Sequence, residues 1–258
     1  MSIDLSDKGV VVTGAGTSVG RAMAEKFLGT SARVHICDID EGALRRTLAD
    51  VADLSGTVAD VGDPAQVATL ASDAIAALGH VDILVNTVGV AGPIGPVEEL
   101  DIQDWRAAID TNLNSMFFTT RKFVPGMKQR NSGVIINFSS ASTLTRPVNR
   151  SNYICSKGGV EGLTLALARE LGPFGIRCNA IRPGAINNDR LRTIVDAIAE
   201  RLGCTSDEAT EDFLNYVSMR TVIEPSEVAD MVLFLCSPAA AHVTGQLIGV
   251  CGGVEWER

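Results

Sequence analysis

The residues best suited to chemistry are Tyr153 and Lys157, with Ser140 thirteen positions upstream of the tyrosine. Helix formers and small residues from Ser156 to Leu171 predict a helix here, with Asn152 as its cap. Positions four apart share a helix face, so the phenol and the ammonium point into one cleft. A tyrosine in water titrates at about 10, too high for a base at neutral pH, and a nearby cation favours its phenolate. A phenol tuned in this way takes a proton from an alcohol, or returns one to a ketone, as hydride moves. Ser140 would hold the same substrate oxygen through its hydroxyl. Alone, the Tyr-x-x-x-Lys spacing also fits an amphipathic surface turn, so its weight depends on its surroundings.

Hydride chemistry needs a carrier, and the start of the chain supplies a candidate cradle. Gly9 to Thr13 is a short apolar, β-branched run, the mark of a buried parallel strand. It is followed by Gly14-Ala15-Gly16-Thr17-Ser18-Val19-Gly20 and a helical pattern from Arg21 to Leu28. Glycines let the backbone approach a diphosphate, and the helix N-terminus offers free N–H groups. A tight turn that binds nothing is the competing reading of the glycines alone. A second strand, Arg33 to Cys37, ends in Asp38, eighteen residues after Gly20, where a dinucleotide fold holds the adenosine ribose hydroxyls. An aspartate there also repels the extra phosphate of NADP, by about 4 kcal/mol at 4 Å and an effective dielectric near 20. Neither Thr17 nor Ile39 offers a compensating cation, which predicts NAD over NADP. Capping of a helix that starts near Glu41 is compatible with this role of Asp38.

The alternation continues along the chain. Strands are predicted at Ser55 to Asp60, Val81 to Asn86, Gly133 to Phe138, Ile176 to Arg182 and Gly245 to Val250. Helices are predicted at Pro64 to Leu78, Asp104 to Lys128 and Glu224 to Cys236. Strands alternating with helices imply right-handed crossovers and a doubly wound, Rossmann-type α/β fold, one parallel sheet covered on both faces. Ligands of such sheets bind beyond the carboxyl ends of the strands, and Gly14, Asp38, Asp60, Asn86, Ser140 and Gly184 all fall at that edge. No repeat, low-complexity segment or linker interrupts the pattern, so residues 1–258 read as a single domain, with an insertion at 187–222.

Composition narrows the classes. Apolar residues make up 46% and charged residues 21%, as in an ordinary soluble globular protein. A net charge of −9 argues against a nucleic-acid-binding surface. No apolar run approaches the ~18 residues needed to span a bilayer, so no membrane partner is expected. Met1-Ser2-Ile3-Asp4-Leu5-Ser6-Asp7 lacks the basic and apolar regions of a signal peptide. Cys37, Cys155, Cys178, Cys204, Cys236 and Cys251 are scattered and lack ligand spacing with the three histidines. The expectation is a reduced, cytoplasmic protein without a metal site.

Taken together, these motifs resemble the short-chain dehydrogenase/reductase family over essentially the full length. The resemblance rests on Thr13-Gly14 to Gly20, Asp60-Val61, Asn86 to Gly89, Asn112, Ser140, Tyr153 to Lys157, Asn179 and Pro183-Gly184. It implies a catalytic set in which Tyr153 is the general acid/base, Lys157 tunes it and binds the nicotinamide ribose, and Ser140 orients the substrate oxygen. Asn112 would hold a relay water behind Lys157; on the residues alone it is an ordinary polar helix position. The implied NAD contacts are Gly14, Thr17, Ser18, Val19, Gly20, Asp38, Ile39, Asp60, Val61, Asn86, Val88, Tyr153, Lys157, Pro183, Gly184 and Ile186. The chain departs from the family pattern at Ser18, Thr87, Val88, Asn188 and Cys251, and none of these removes a catalytic group.

In this family the segment corresponding to 187–222 forms a substrate lid, which suits a small substrate enclosed from water. Similar hydroxyacid dehydrogenases carry a basic residue at the place of Arg150, and an arginine fork suits a carboxylate. Ser142, Asn187 and Arg190 are further substrate-binding candidates, and Arg146, Asn149 and Arg192 lie nearby in sequence. The resulting expectation is an NAD-dependent dehydrogenase of a small anionic hydroxy acid or its keto form. The alternatives are a neutral sugar, a polyol, a 3-oxoacyl thioester, or a non-catalytic NAD sensor. The resemblance also implies a homo-oligomer, a dimer or tetramer, and the small-residue face Gly158, Gly159, Gly162 and Ala166 suits close helix packing.

Overall fold

A computed structural model describes residues 3–254. Met1 and Ser2 of the segment inspected for a signal, and residues 255–258 of the expected single domain, lie outside the described residues. In chain order the elements are β1 (Gly9–Thr13), α1 (Ser18–Leu28), β2 (Arg33–Asp38), α2 (Glu41–Asp50), β3 (Leu54–Val58), α3 (Pro64–Leu78) and β4 (Ile83–Asn86). They continue with α4 (Ile102–Ile109), α5 (Ser115–Arg130), β5 (Gly133–Phe138), α6 (Ser142–Thr145), α7 (Ser151–Leu171) and β6 (Ile176–Pro183). The last are α8 (Asp189–Leu202), α9 (Ser206–Leu214), α10 (Pro225–Cys236) and β7 (Leu247–Val250).

The described strands form one seven-stranded sheet in the order β3-β2-β1-β4-β5-β6-β7, every pair parallel. The order reverses between β1 and β4, and that switch point opens a crevice at the carboxyl edge. Strand β1 explains the two layers. Val10 and Val12 join a core with Met23 and Phe27 of α1 and Val228 and Val232 of α10. Val11, on the opposite face, packs in a second core with Leu78, Phe123 and Leu171. Side chains alternate across a strand, so an unbroken β-branched run serves both cores at once.

Four local features differ from the sequence reading. First, the helix expected over Asp104 to Lys128 is interrupted by a π turn, Asp110–Asn114, between α4 and α5. Second, Asn152 is not the cap of α7. That helix starts at Ser151 with Arg150 at the N-cap, and buried Asn152 instead donates to the Pro93 carbonyl at 3.2 Å. Third, β3 ends at Val58 and not at Asp60, because the Asp60 N–H leaves the sheet for Gln66 Oε1 at 2.9 Å. Finally, the cap of α2 is Asp40, which accepts from the Ala43 N–H, leaving Asp38 to other partners.

Candidate active site

The glycine turn after β1 is shaped for close approach. Gly14 has φ +62°, and a methyl at Gly20 would lie 2.3 Å from the Gly14 carbonyl oxygen. Gly16 N–H donates to Asp38 Oδ2 at 2.8 Å, which ties the turn to the end of β2. The N-cap of α1, Thr17, makes no side-chain capping bond, so the first-turn amides face the crevice without a side-chain acceptor. Free amides, a helix N-terminus and a turn that excludes Cβ atoms fit the diphosphate of a dinucleotide. The carboxylate fixed beside them fits ribose hydroxyls.

Continuous with the cradle is a cavity of about 670 Å³, lined also by Ser140, Ser142, Arg150, Tyr153, Lys157, residues Pro183 to Asn188, and the insertion expected to form a lid. Helix α7 delivers Tyr153 and Lys157 on one face, as their spacing requires. Lys157 is buried and donates from Nζ to the Phe138 carbonyl at 2.7 Å. Burial, and secondarily the charge of Arg190, push its ammonium down to about 7. Ser140 Oγ accepts the Ser142 N–H at 3.1 Å, which leaves its own hydrogen free to donate to a substrate oxygen.

Two cations lie over the Tyr153 ring. The Arg150 guanidinium carbon is 4.9 Å from the ring centroid and that of Arg190, from the lid, is 5.7 Å away. Burial lowers the Arg150 pKa from its ordinary value, and its buried Nε has no hydrogen-bond partner among the described residues. The lid comprises α8 and α9, joined by a small core of Val195, Ala199 and Ala209. Asn188 caps α8 and also reaches across the crevice to Ser18 Oγ at 3.2 Å.

Of the residues singled out in the sequence, Gly14, Thr17, Ser18, Val19, Gly20, Pro183, Gly184, Ile186, Asn187 and Arg190 line the same cavity as the catalytic candidates. Others stand at the sheet edge with their side chains committed elsewhere. Asn86 donates to Asn137 Oδ1 at 2.9 Å and accepts from Thr119 at 2.8 Å. Asp60 accepts from the Gly62 N–H, Val61 is buried in a core with Cys37 and Leu70, and half-buried Val88 packs against that core. Ile39 is exposed beside Asp38. Asn112, buried in the π turn, clamps Val90 through both its N–H and carbonyl and donates to Ser156 Oγ at 2.9 Å. Asn187, while lining the cavity, also donates its amide to Glu224 at 2.8 Å, and exposed Arg192 of α8, which lines the cavity too, pairs with Asp189 at 2.6 Å. Thr87 and Gly89, named in the sequence as part of the Asn86 to Gly89 motif, line the cavity too, and sequence reasoning missed Phe213 and Tyr216, which also line it. Gly89 carried a signal, since its neighbour Lys157 Nζ would lie 2.8 Å from an added Cβ, but that proximity emerges only after folding.

A family model described as enoyl-(acyl carrier protein) reductase matches residues 14–255. Galactitol 2-dehydrogenase (L-tagatose-forming) of Cereibacter sphaeroides is 37% identical over 246 residues, which cover 94% of this chain and 92% of that protein. Two solved structures match closely. One is 7α-hydroxysteroid dehydrogenase complexed with NADH and 7-oxo glycochenodeoxycholic acid, at TM-score 0.90, 31% identity, and coverage of 99% of this chain and 97% of that one. The other is a variant of actinorhodin polyketide ketoreductase with NADPH, at TM-score 0.92, 32% identity, and coverage of 98% and 99%.

Proposed function

The chain belongs to the short-chain dehydrogenase/reductase family, and from that membership we propose that it is an NAD-dependent dehydrogenase of a small anionic hydroxy acid, or a reductase of its keto form. The coarser activity, interconversion of a secondary alcohol and a ketone, is that of its relatives. Bound in the cradle, a nicotinamide cofactor supplies or accepts the hydride. Tyr153 then takes the hydroxyl proton in oxidation or gives one to the carbonyl oxygen in reduction. Ser140 donates to the same oxygen and fixes its direction, while Lys157 stands behind the phenol, where its protonated form favours the phenolate. Asp38 favours NAD over NADP, because a carboxylate held at the ribose end opposes a second phosphate.

One observation carries the anionic reading: two guanidiniums over the Tyr153 ring, one with a buried Nε that has no partner among the described residues. A buried cationic donor without an acceptor is costly, and a substrate carboxylate relieves that cost. The apolar lid wall of Leu191, Ile194 and Phe213 favours a second reading, a 3-oxoacyl thioester whose chain lies along it. A neutral polyol, the substrate type named for the galactitol relative, would leave the arginines without a charge to pair. A non-catalytic NAD sensor would not need Ser140, Tyr153 and Lys157 in one cavity. The reading includes a homo-oligomer formed through the open face of α7, where added Cβ atoms at Gly158 and Gly162 meet nothing within 4 Å and Leu165 is exposed. It also includes a reduced, cytoplasmic setting, consistent with the buried thiols of Cys37, Cys178 and Cys236, which burial pushes up to about 12.

The test follows cofactor absorbance with NAD and NADP against matched anionic and neutral secondary alcohols, using wild type, Tyr153→Phe and Arg150→Ala. Turnover of an acid, abolished by Tyr153→Phe and reduced about a hundredfold in kcat/KM by Arg150→Ala, is the expected result. Unchanged turnover of the acid in Arg150→Ala would remove the anion pocket. Turnover confined to neutral alcohols would leave the dehydrogenase and discard its proposed substrate class.

A further inference from the structure

One turn beyond Lys157 on α7, Glu161 gathers four short contacts. Its Oε1 lies 2.7 Å from Ser139 Oγ, Thr143 Oγ1 and Arg182 Nε, and its Oε2 is 2.7 Å from a terminal nitrogen of Arg182. The donors come from three separate pieces of the site. Ser139 immediately precedes Ser140 at the end of β5. Thr143 lies in α6, and its hydroxyl is also 2.8 Å from the Ser140 carbonyl oxygen, so one hydrogen serves two acceptors. Arg182 is the penultimate residue of β6, directly before Pro183 and Gly184, which line the cavity. Burial alone would raise the Glu161 carboxyl, yet the hydrogen bonds from Arg182, Thr143 and Ser139 hold it below its ordinary value. The carboxylate is therefore a fixed negative charge, with side-chain exposure of only 12%, facing an arginine at 17%.

Among the described residues the Ser140 hydroxyl has little holding of its own, only the Ser142 N–H at 3.1 Å. Its direction is set by the turn that carries it. Among the described residues that turn's side-chain ties to α7 run through Glu161, apart from a longer 3.4 Å contact between Ser139 Oγ and the Lys157 carbonyl, while Lys157 Nζ holds the preceding Phe138 carbonyl at 2.7 Å. Backbone bonds from Ser139 N–H to the Ile181 carbonyl at 2.8 Å and from Ala141 N–H to the Pro183 carbonyl at 3.0 Å already hold the turn to β6. We infer that Glu161 is a positioning residue, whose carboxylate locks the Ser139–Thr143 turn to the Tyr153–Lys157 helix and braces Arg182 against both, so that Ser140 meets the substrate oxygen. This deepens the alcohol–ketone reading and rests on it.

An ion pair that serves only stability would look similar in a static structure, so the test separates orientation from folding. Glu161→Gln keeps an acceptor for the two hydroxyls and removes the charge that organises Arg182. Thr143→Val removes one tie and leaves the ion pair whole, which covers the case in which Glu161→Gln folds poorly. Each is measured alone and combined with Ser140→Ala, for kcat, NADH affinity by fluorescence, and thermal midpoint. A residue acting through Ser140 has nothing left to lose once Ser140 is gone. The expected result is a loss of about tenfold in kcat for Glu161→Gln, NADH affinity within about threefold, and less than about twofold further loss in the Ser140→Ala background. Full multiplication of the two losses, or a lower midpoint with kcat intact, would overturn the inference. Should wild type turn over none of the alcohols offered, the activity reading fails separately. Amide exchange then decides: faster exchange confined to residues 139–145 in both variants supports the lock, and unchanged exchange refutes it.

Discussion

Replacing Asp38 by asparagine tests the cofactor assignment with the least disturbance. Asp38 Oδ2 accepts from Gly16 N–H at 2.8 Å and Oδ1 accepts from Asp40 N–H at 3.0 Å, so the carboxylate is pinned at the rim of the cradle. An asparagine can keep the acceptor for Gly16 while removing the charge. A phosphate on the adenosine ribose would meet the native carboxylate at about 4 Å, where like unit charges repel by about 4 kcal/mol at an effective dielectric near 20. The side chain is half-buried, and salt screens its solvent side, so about 2 kcal/mol is a fairer value. That corresponds to roughly thirtyfold in a binding or specificity constant. We therefore expect Asp38→Asn to raise kcat/KM for NADP by about thirtyfold while changing that for NAD only severalfold. Initial rates with both cofactors at low and high salt supply the assay, and the discrimination by wild type should weaken as salt rises. Equal efficiency of wild type with both cofactors, or an unchanged ratio in the variant, would refute the electrostatic argument.

Two further predictions concern the catalytic helix. The Lys157 ammonium falls from 10.5 to about 7 on folding, so between those values the unfolded chain binds more protons and stability rises with pH. Lys157→Met should thus be more stable than cofactor-free wild type near pH 7, by up to about 4 kcal/mol, with the gap closing towards pH 10. Chemical denaturation across that range would show parallel curves if the burial argument is wrong. Gly162 lies on the open face of α7, where an added side chain meets nothing in the monomer. Gly162→Arg should leave the monomer folded and shift the sedimenting species to a monomer, whereas an unchanged assembly would exclude this face as the interface.

The fold was legible because its signals are local and repeated. Gly9 to Thr13 and Gly133 to Phe138 each carry three successive β-branched apolar residues, which serve both faces, and the runs are followed by Gly14 and Ser139. The π turn was not legible in the same way. Thr111, Asn112, Leu113 and Asn114 are compatible with an ordinary helix, and the wider turn coincides with a tertiary clamp between Asn112 and Val90. Likewise, position at the sheet edge follows from where a strand ends, but side-chain direction does not. Asn86 stands at the expected edge and spends its amide between β5 and α5, while the next residue, Thr87, lines the cavity.

The lid is harder to read for a related reason. Its small core of Val195, Ala199 and Ala209 lets α8 and α9 pack on each other, so their sequence reports that mutual packing more than any substrate. What links the lid to the chemistry is a few contacts that no spacing rule anticipates, such as Arg190 over Tyr153 across thirty-seven positions of sequence. Ser18 and Asn188 make the point most clearly. Each departs from the family pattern, and Ser18 takes φ +50°, a left-handed conformation that costs a non-glycine residue about 1 kcal/mol. Folding brings the two together, with the Asn188 amide on Ser18 Oγ at 3.2 Å and Asn188 capping the lid helix. A residue that is unfavourable for its own backbone thus gains a partner across the cofactor crevice, and two apparent defects in the pattern become one connection between cradle and lid.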